Sequence, residues 1–217
     1  MSKSQKLPEL VQPEPRWPAL VVIFAIGALN VALPEWVSVA PRGLMMAISL
    51  LLLVPLYLSH RLGHHHLNRK LGYLNDSFLT AALLASLVYL VRGMSAHKQA
   101  PEDLLIAAAS LWVSNILVFS LWYWHLDAGG PNHRERRVGH PDGAFLFPQM
   151  TFRDDKEMLQ WSPGFIDYLF LSFNTSTAFS PTDCPVLDGW AKGLMMVQSL
   201  ISLAVVALLV ARAINTL

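Results

Sequence analysis

Residues 163–176 read PGFIDYLFLSFNTS, residues 177–189 read TAFSPTDCPVLDG, and a long apolar run follows from Trp190 to the end. The reading of these three pieces decides the fold. Ser162 is suited to an N-cap and Pro163 to the first helical position, so a helix is predicted to start there. At ~1.5 Å per residue that helix is about 20 Å long, short of a ~30 Å hydrocarbon core. The middle piece carries Pro181, Pro185, Asp183 and Asp188, which no spanning helix would keep. The third piece is apolar for long enough to span. A half-length helix, a polar hairpin and a full span predict a re-entrant segment, whose irregular backbone survives at membrane depth only where protein or water covers it.

Working outward, the chain of 217 residues is 53% hydrophobic and only 14% charged, too apolar for a soluble domain of this size. Its formal net charge is +1, without the acidic or basic tail that would suggest nucleic acid. A single cysteine, Cys184, excludes an intrachain disulfide framework. The apolar run 19–33 ends in Pro34-Glu35-Trp36 rather than a small-residue cleavage site, so it is expected to stay as a span.

The expected fold is an all-α membrane protein with about five transmembrane helices and one re-entrant, pore-like helix before the last. Residues 1–16, with three prolines, should form a mobile N-terminal tail. Residues 17–126 should hold four spans: 17–33, 44–58, 78–91 and 104–126. Asp76-Ser77 can cap the third, and a basic linker, 59–76, precedes it. Residues 127–161 form a long polar loop, beyond the usual length of a structureless connection. Residues 162–217 are the re-entrant helix, hairpin and final span. With five spans, twelve of the sixteen Lys and Arg side chains fall on the N-terminal side. The positive-inside rule places that side in the cytoplasm.

Several side chains are candidates for chemistry. Gln198 and Ser202 are four apart on one face of the last span, with Ser199 beside them. They can line a wet vestibule or bond neighbouring helices. Asn174, before the hairpin, can brace the pore helix beside the pore or simply hydrogen-bond in the membrane interior, and Asn30, Ser114 and Asn115 are expected to bond between helices. His125 and Asp127 end the fourth span among Trp122, Trp124 and the Gly129-Gly130-Pro131 turn. They form a pH-sensitive gating pair or a plain helix-end turn, since His titrates near neutrality. His60, His64, His65 and His66 lack a Cys or carboxylate companion, so a basic linker is expected rather than a metal site. No nucleotide, hydrolase or zinc-protease motif is present, and neither enzymatic activity nor a cofactor is expected.

The stretch Thr175, Ser176, Thr177, Ala178, Phe179, Ser180, Pro181, Thr182, Asp183 resembles the end of the pore helix and selectivity filter of tetrameric potassium channels, T-x-T-T-V-G-Y-G-D. Two threonines and the closing aspartate fall in register, and DYLFLSF and LLVARAI flank it similarly. Ser180, Pro181 and Thr182 replace Gly-Tyr-Gly, so potassium selectivity does not carry over. More of the chain is similar to uncharacterised bacterial integral membrane proteins of the DUF1345 type, often described as ion-channel-like. The strings WYWHLDAGGP, FLFPQM and DYLFLSFNTSTAFSPTD carry that resemblance.

These resemblances imply a bacterial inner-membrane protein that contacts lipid and forms a closed homo-oligomer, a tetramer if it is a channel. The hairpin would sit at the constriction and contact monovalent cations through hydroxyls, carbonyls and a ring of Asp183 carboxylates. The other reading is a non-conducting scaffold or sensor that keeps the pore-loop fold and binds a partner through the long loop. The resemblance to potassium channels also implies that the hairpin opens to the outside, opposite to the charge bias.

Overall fold

The computed structural model describes residues 14–95, 100–136, 140, 143–152, 161–177 and 183–215. Within them the chain is helical, with one antiparallel bridge between Phe145 and Val186. Seven α-helices carry the architecture: α1 (Trp17–Ala32), α2 (Leu44–Arg61), α3 (His65–Ser95), α4 (Pro101–Leu126), a single turn α5 (Pro131–Arg134), α6 (Phe165–Thr177) and α7 (Gly189–Asn215). Among the described residues, α2, α3, α4 and α7 are each long and apolar enough to cross a membrane. This is an all-α, multi-pass membrane protein. The remaining apolar helix, α1, has 16 residues.

The bundle is built around α4, which packs against α1, α3, α6 and α7. Its sequence explains why. Small residues (Ala107, Ala108, Ser110, Ser114) alternate with Leu111, Val118, Phe119 and Leu121, so it is apolar or small on every side and all eight are buried. By contrast α2 presents Leu51, Val54 and Leu58 outward, as a lipid-facing helix should. Gly27 brings α1 close to α2: a Cβ there would lie 3.2 Å from the Met46 backbone.

The helices alternate between two ends. At one end Trp36, in the α1–α2 connection, packs on Gly93 near the end of α3. The other end gathers the start of α1, the end of α2, the start of α3 and the end of α4. There Arg16 bonds to Asn132 and Glu135, and Asn68 bonds to Leu56 O and Ser59.

The third helix begins at His65, thirteen residues before the expected start, and runs through Asp76-Ser77. Asp76 is therefore no cap. It is a buried mid-helix carboxylate held by His125, as described below. The run 65–77 hid the helix because most of its side chains are polar or charged, and all but Gly72, Asn75 and Asp76 are at least partly exposed. Glu14 and Arg16, placed above in the tail, are likewise engaged in this end of the bundle.

Candidate functional site

The geometry of α6 is set by its side chains. Ser172, Thr175 and Ser176 are buried, while Ile166, Phe170 and Phe173 are exposed on the opposite face. The buried stripe meets Gln198 of α7, whose side chain is wholly enclosed. Gln198 Nε2 donates at 2.8 Å to Ser172 O and at 2.7 Å to Ser176 Oγ, and Ser199 Oγ donates to Thr175 O at 3.3 Å. Tyr123 OH of α4 donates to Gln198 Oε1 at 2.6 Å, and Asn115 Nδ2 donates to Ser202 Oγ at 2.9 Å.

Contacts with α4 fix direction. Phe165 packs on Trp124 while Ser172 bonds to Ile116 O, and Trp190 reaches Tyr123 through Phe145 while Ser202 bonds to Asn115, so α6 and α7 both run antiparallel to α4 and therefore parallel to each other. A chain leaving α6 must then return to the end where α6 began before starting α7. The return is visible after residue 183: Leu146 N donates to Pro185 O and Leu187 N to Ala144 O, and Phe145 bridges Val186. The segment is re-entrant.

Of the hairpin residues singled out in the sequence, Ala178, Phe179, Ser180, Pro181 and Thr182 lie outside the described residues. Thr175 and Ser176 are buried against α7, and Thr177 Oγ1 donates to Phe173 O within its own helix. Asp183 is exposed, and with Asp167, Asn174 and Cys184 it lines a cavity of about 120 Å³ beside α6. Burial raises the Asp167 carboxyl above its ordinary range, and pushes the Cys184 thiol up to about 12. Gln198 and Ser202 are enclosed within one chain, where they bond neighbouring helices. Asn30 bonds back to Ile26 O in its own helix, while Asn115 bonds across to α7.

His125 and Asp127 do not pair with each other. Each belongs to a separate buried His–Asp pair. His125 Nδ1 lies 2.5 Å from Asp76 Oδ2. Asp127 accepts from Tyr168 OH at 2.6 Å, from His140 Nε2 at 2.7 Å and from Ala144 N at 2.5 Å. The turn that aims Asp127 inward takes positive φ at Ala128 (49°), Gly129 (81°) and Gly130 (86°). A side chain at Gly130 would also meet His125 O at 2.7 Å. Two glycines in sequence here are a backbone requirement.

Arg134 closes the end of α4. Its guanidinium donates to Trp124 O and Asp127 O at 2.9 Å and to Glu14 at 3.1 Å, and lies over the Tyr168 ring. A cation on the last carbonyls of a helix opposes the negative end of its dipole. Trp124 Nε1 donates to Glu14 Oε1, completing a polar cap over the bundle. His140, Tyr168, Arg134 and Glu14 carry no spacing signal toward Asp127, and sequence reading passed over them. His60 ends α2 while His65 opens α3, so the histidine run is split between two helices.

The fold and site thus define a multi-pass α-helical membrane protein with a re-entrant helix sealed by a buried polar cap. Compared with protein-family models, with curated proteins and with solved structures, the chain matches none.

Proposed function

We propose that the protein is a cation-conducting, pore-like assembly in which re-entrant segments from several copies meet around one axis. One observation carries the reading: the re-entrant segment ends in an exposed Asp183, which shares a cavity with Asp167 and Asn174 and, among the described residues, with no basic one. A mouth lined by carboxylates and an amide concentrates cations and offers oxygen ligands in place of water. One chain supplies one hairpin, so a closed oligomer is required. The apolar faces of α6 and α7, with Phe170, Met196 and Leu200 exposed, are available for that packing. The role is passage rather than catalysis.

The carboxylate-lined cavity is on the same end as Arg16, Arg61, Arg69 and Arg136, which the positive-inside rule assigns to the cytoplasm. The pore would open inward, and the resemblance to outward-opening filters would extend to architecture alone. The scaffold reading relies on a free long loop. The described start of that loop is tied to the helices, through Arg134 to Trp124 O and through Asp127 to Tyr168. The test is cation flux into proteoliposomes, with oligomeric state measured by native mass spectrometry. The pore requires a closed oligomer whose flux falls in Asp183→Asn without loss of assembly. A monomer, or equal flux in parent and variant, overturns it.

A further inference from the structure

Between the start of α3, the end of α4 and the α5 turn lies a second cavity, of about 180 Å³. At ~30 Å³ per water it has room for about six waters. Its walls include Arg69, Arg136, His65, His125, His133 and Asn132, with Gly129 and Gly130, and no carboxylate among the described residues lines it. Two nearby acids are already engaged, Asp76 by His125 and Glu135 by Arg16. Arg69 and Arg136 are exposed and form no ion pair among the described residues. Two guanidiniums with imidazoles and an amide around one hollow suit the oxygens of a phosphoryl group, which planar Arg forks bind in bidentate fashion.

A neighbouring feature indicates where that group comes from. Asn68 and His125 are also walls of an apolar cleft between α1 and α2, formed by Ala19, Leu20, Ile23 and Leu56. A cationic hollow joined through shared walls to an apolar cleft between two outer helices has the form of a headgroup site beside an acyl-chain groove. We infer that this cavity binds the phosphoryl headgroup of an anionic phospholipid, at the membrane face that also carries the re-entrant mouth. The inference is independent of conduction.

The test is titration of the detergent-purified protein with phosphatidylglycerol and, separately, phosphatidylcholine, read by native mass spectrometry. The parent should take up phosphatidylglycerol in preference. The double variant Arg69→Gln/Arg136→Gln should bind it about thirtyfold more weakly, from the contribution of two juxtamembrane charges. Both side chains are exposed, so the fold should be kept, as circular dichroism would register. Arg42→Gln, an exposed arginine in the α1–α2 connection at the opposite end of the bundle, should behave as the parent. Equal uptake by all three proteins, or equal loss in Arg42→Gln and the double variant, overturns the site. Calorimetric titration with sodium phosphate separates the sources. Phosphate binding lost in the double variant, with lipid uptake unchanged, would keep the phosphoryl site but overturn the lipid assignment.

Discussion

Replacing Asp127 by alanine tests the polar cap at its centre. The carboxylate is wholly buried and accepts three hydrogen bonds, from Tyr168, His140 and the Ala144 backbone. Its removal leaves three donors without an acceptor in a site closed to bulk water. Each buried unsatisfied donor costs about 1–3 kcal/mol, so the loss is at least about 3 kcal/mol. At roughly 2–4 °C per kcal/mol for a chain of this size, Asp127→Ala should lower the midpoint of thermal unfolding by about 6–12 °C or more. Differential scanning fluorimetry in detergent, with size-exclusion profiles as a check on folding, measures it. Tyr168→Phe removes one donor and leaves the carboxylate two, so its shift should be roughly a third as large. Asp127→Asn should fall between, because an amide keeps an acceptor for Ala144 N–H but turns donors toward His140 and Tyr168. A midpoint for Asp127→Ala within 2 °C of the parent, on a scale where ~1 kcal/mol moves it by at least that much, would refute the cap.

Three further outcomes follow from the same geometry. Cys184, the only cysteine, is buried with its thiol pushed up to about 12 by burial, so N-ethylmaleimide at neutral pH should modify it at least about a hundredfold more slowly in the native protein than in denaturant. Gln198→Leu leaves Tyr123 OH and the Ser172 and Ser176 hydroxyls to find new partners; it should cost about 2 kcal/mol and accelerate Cys184 labelling as α6 loosens. An added methyl at Gly72 would lie 2.9 Å from His125 Nε2, so Gly72→Ala should destabilise by roughly 1–3 kcal/mol and shift the imidazole resonances of His125, observable by NMR.

The bundle was legible where lipid contact dictates composition. The expected spans 17–33 and 44–58 and the helix ending at 126 agree closely with α1, α2 and α4, because continuous apolar runs are what a bilayer demands. Shortness before a Pro- and Asp-bearing stretch marked α6 as less than a full span, and its 13 residues agree. The first three turns of α3 were not legible, since His65–Asp76 is largely polar, and mostly exposed in whole or in part, and so lacks the apolar run that marks a span. The cap was illegible for a related reason. Asp127 finds Tyr168 across forty-one positions and His140 across thirteen, and His125 finds Asp76 across forty-nine. Such pairings come from helix packing, and hydropathy carries no trace of them. His125 and Asp127 stood out as individuals, yet their partners emerge only when α3, α4 and α6 are brought together.

The brevity of α1 bears on the lipid itself. Sixteen residues at ~1.5 Å each give about 24 Å, some 6 Å less than a typical hydrocarbon layer, whereas α3 and α4 on neighbouring flanks exceed it. Acyl chains touching Val21, Phe24 and Val31 must therefore compress or tilt, while those beside α3 need not. The elastic penalty, fractions of a kcal/mol per Å, falls on one side of the molecule only. With α1 across a bilayer, the hydrocarbon beside it would have to thin or the helix ends be drawn in, a cost confined to the side of the molecule that α1 occupies.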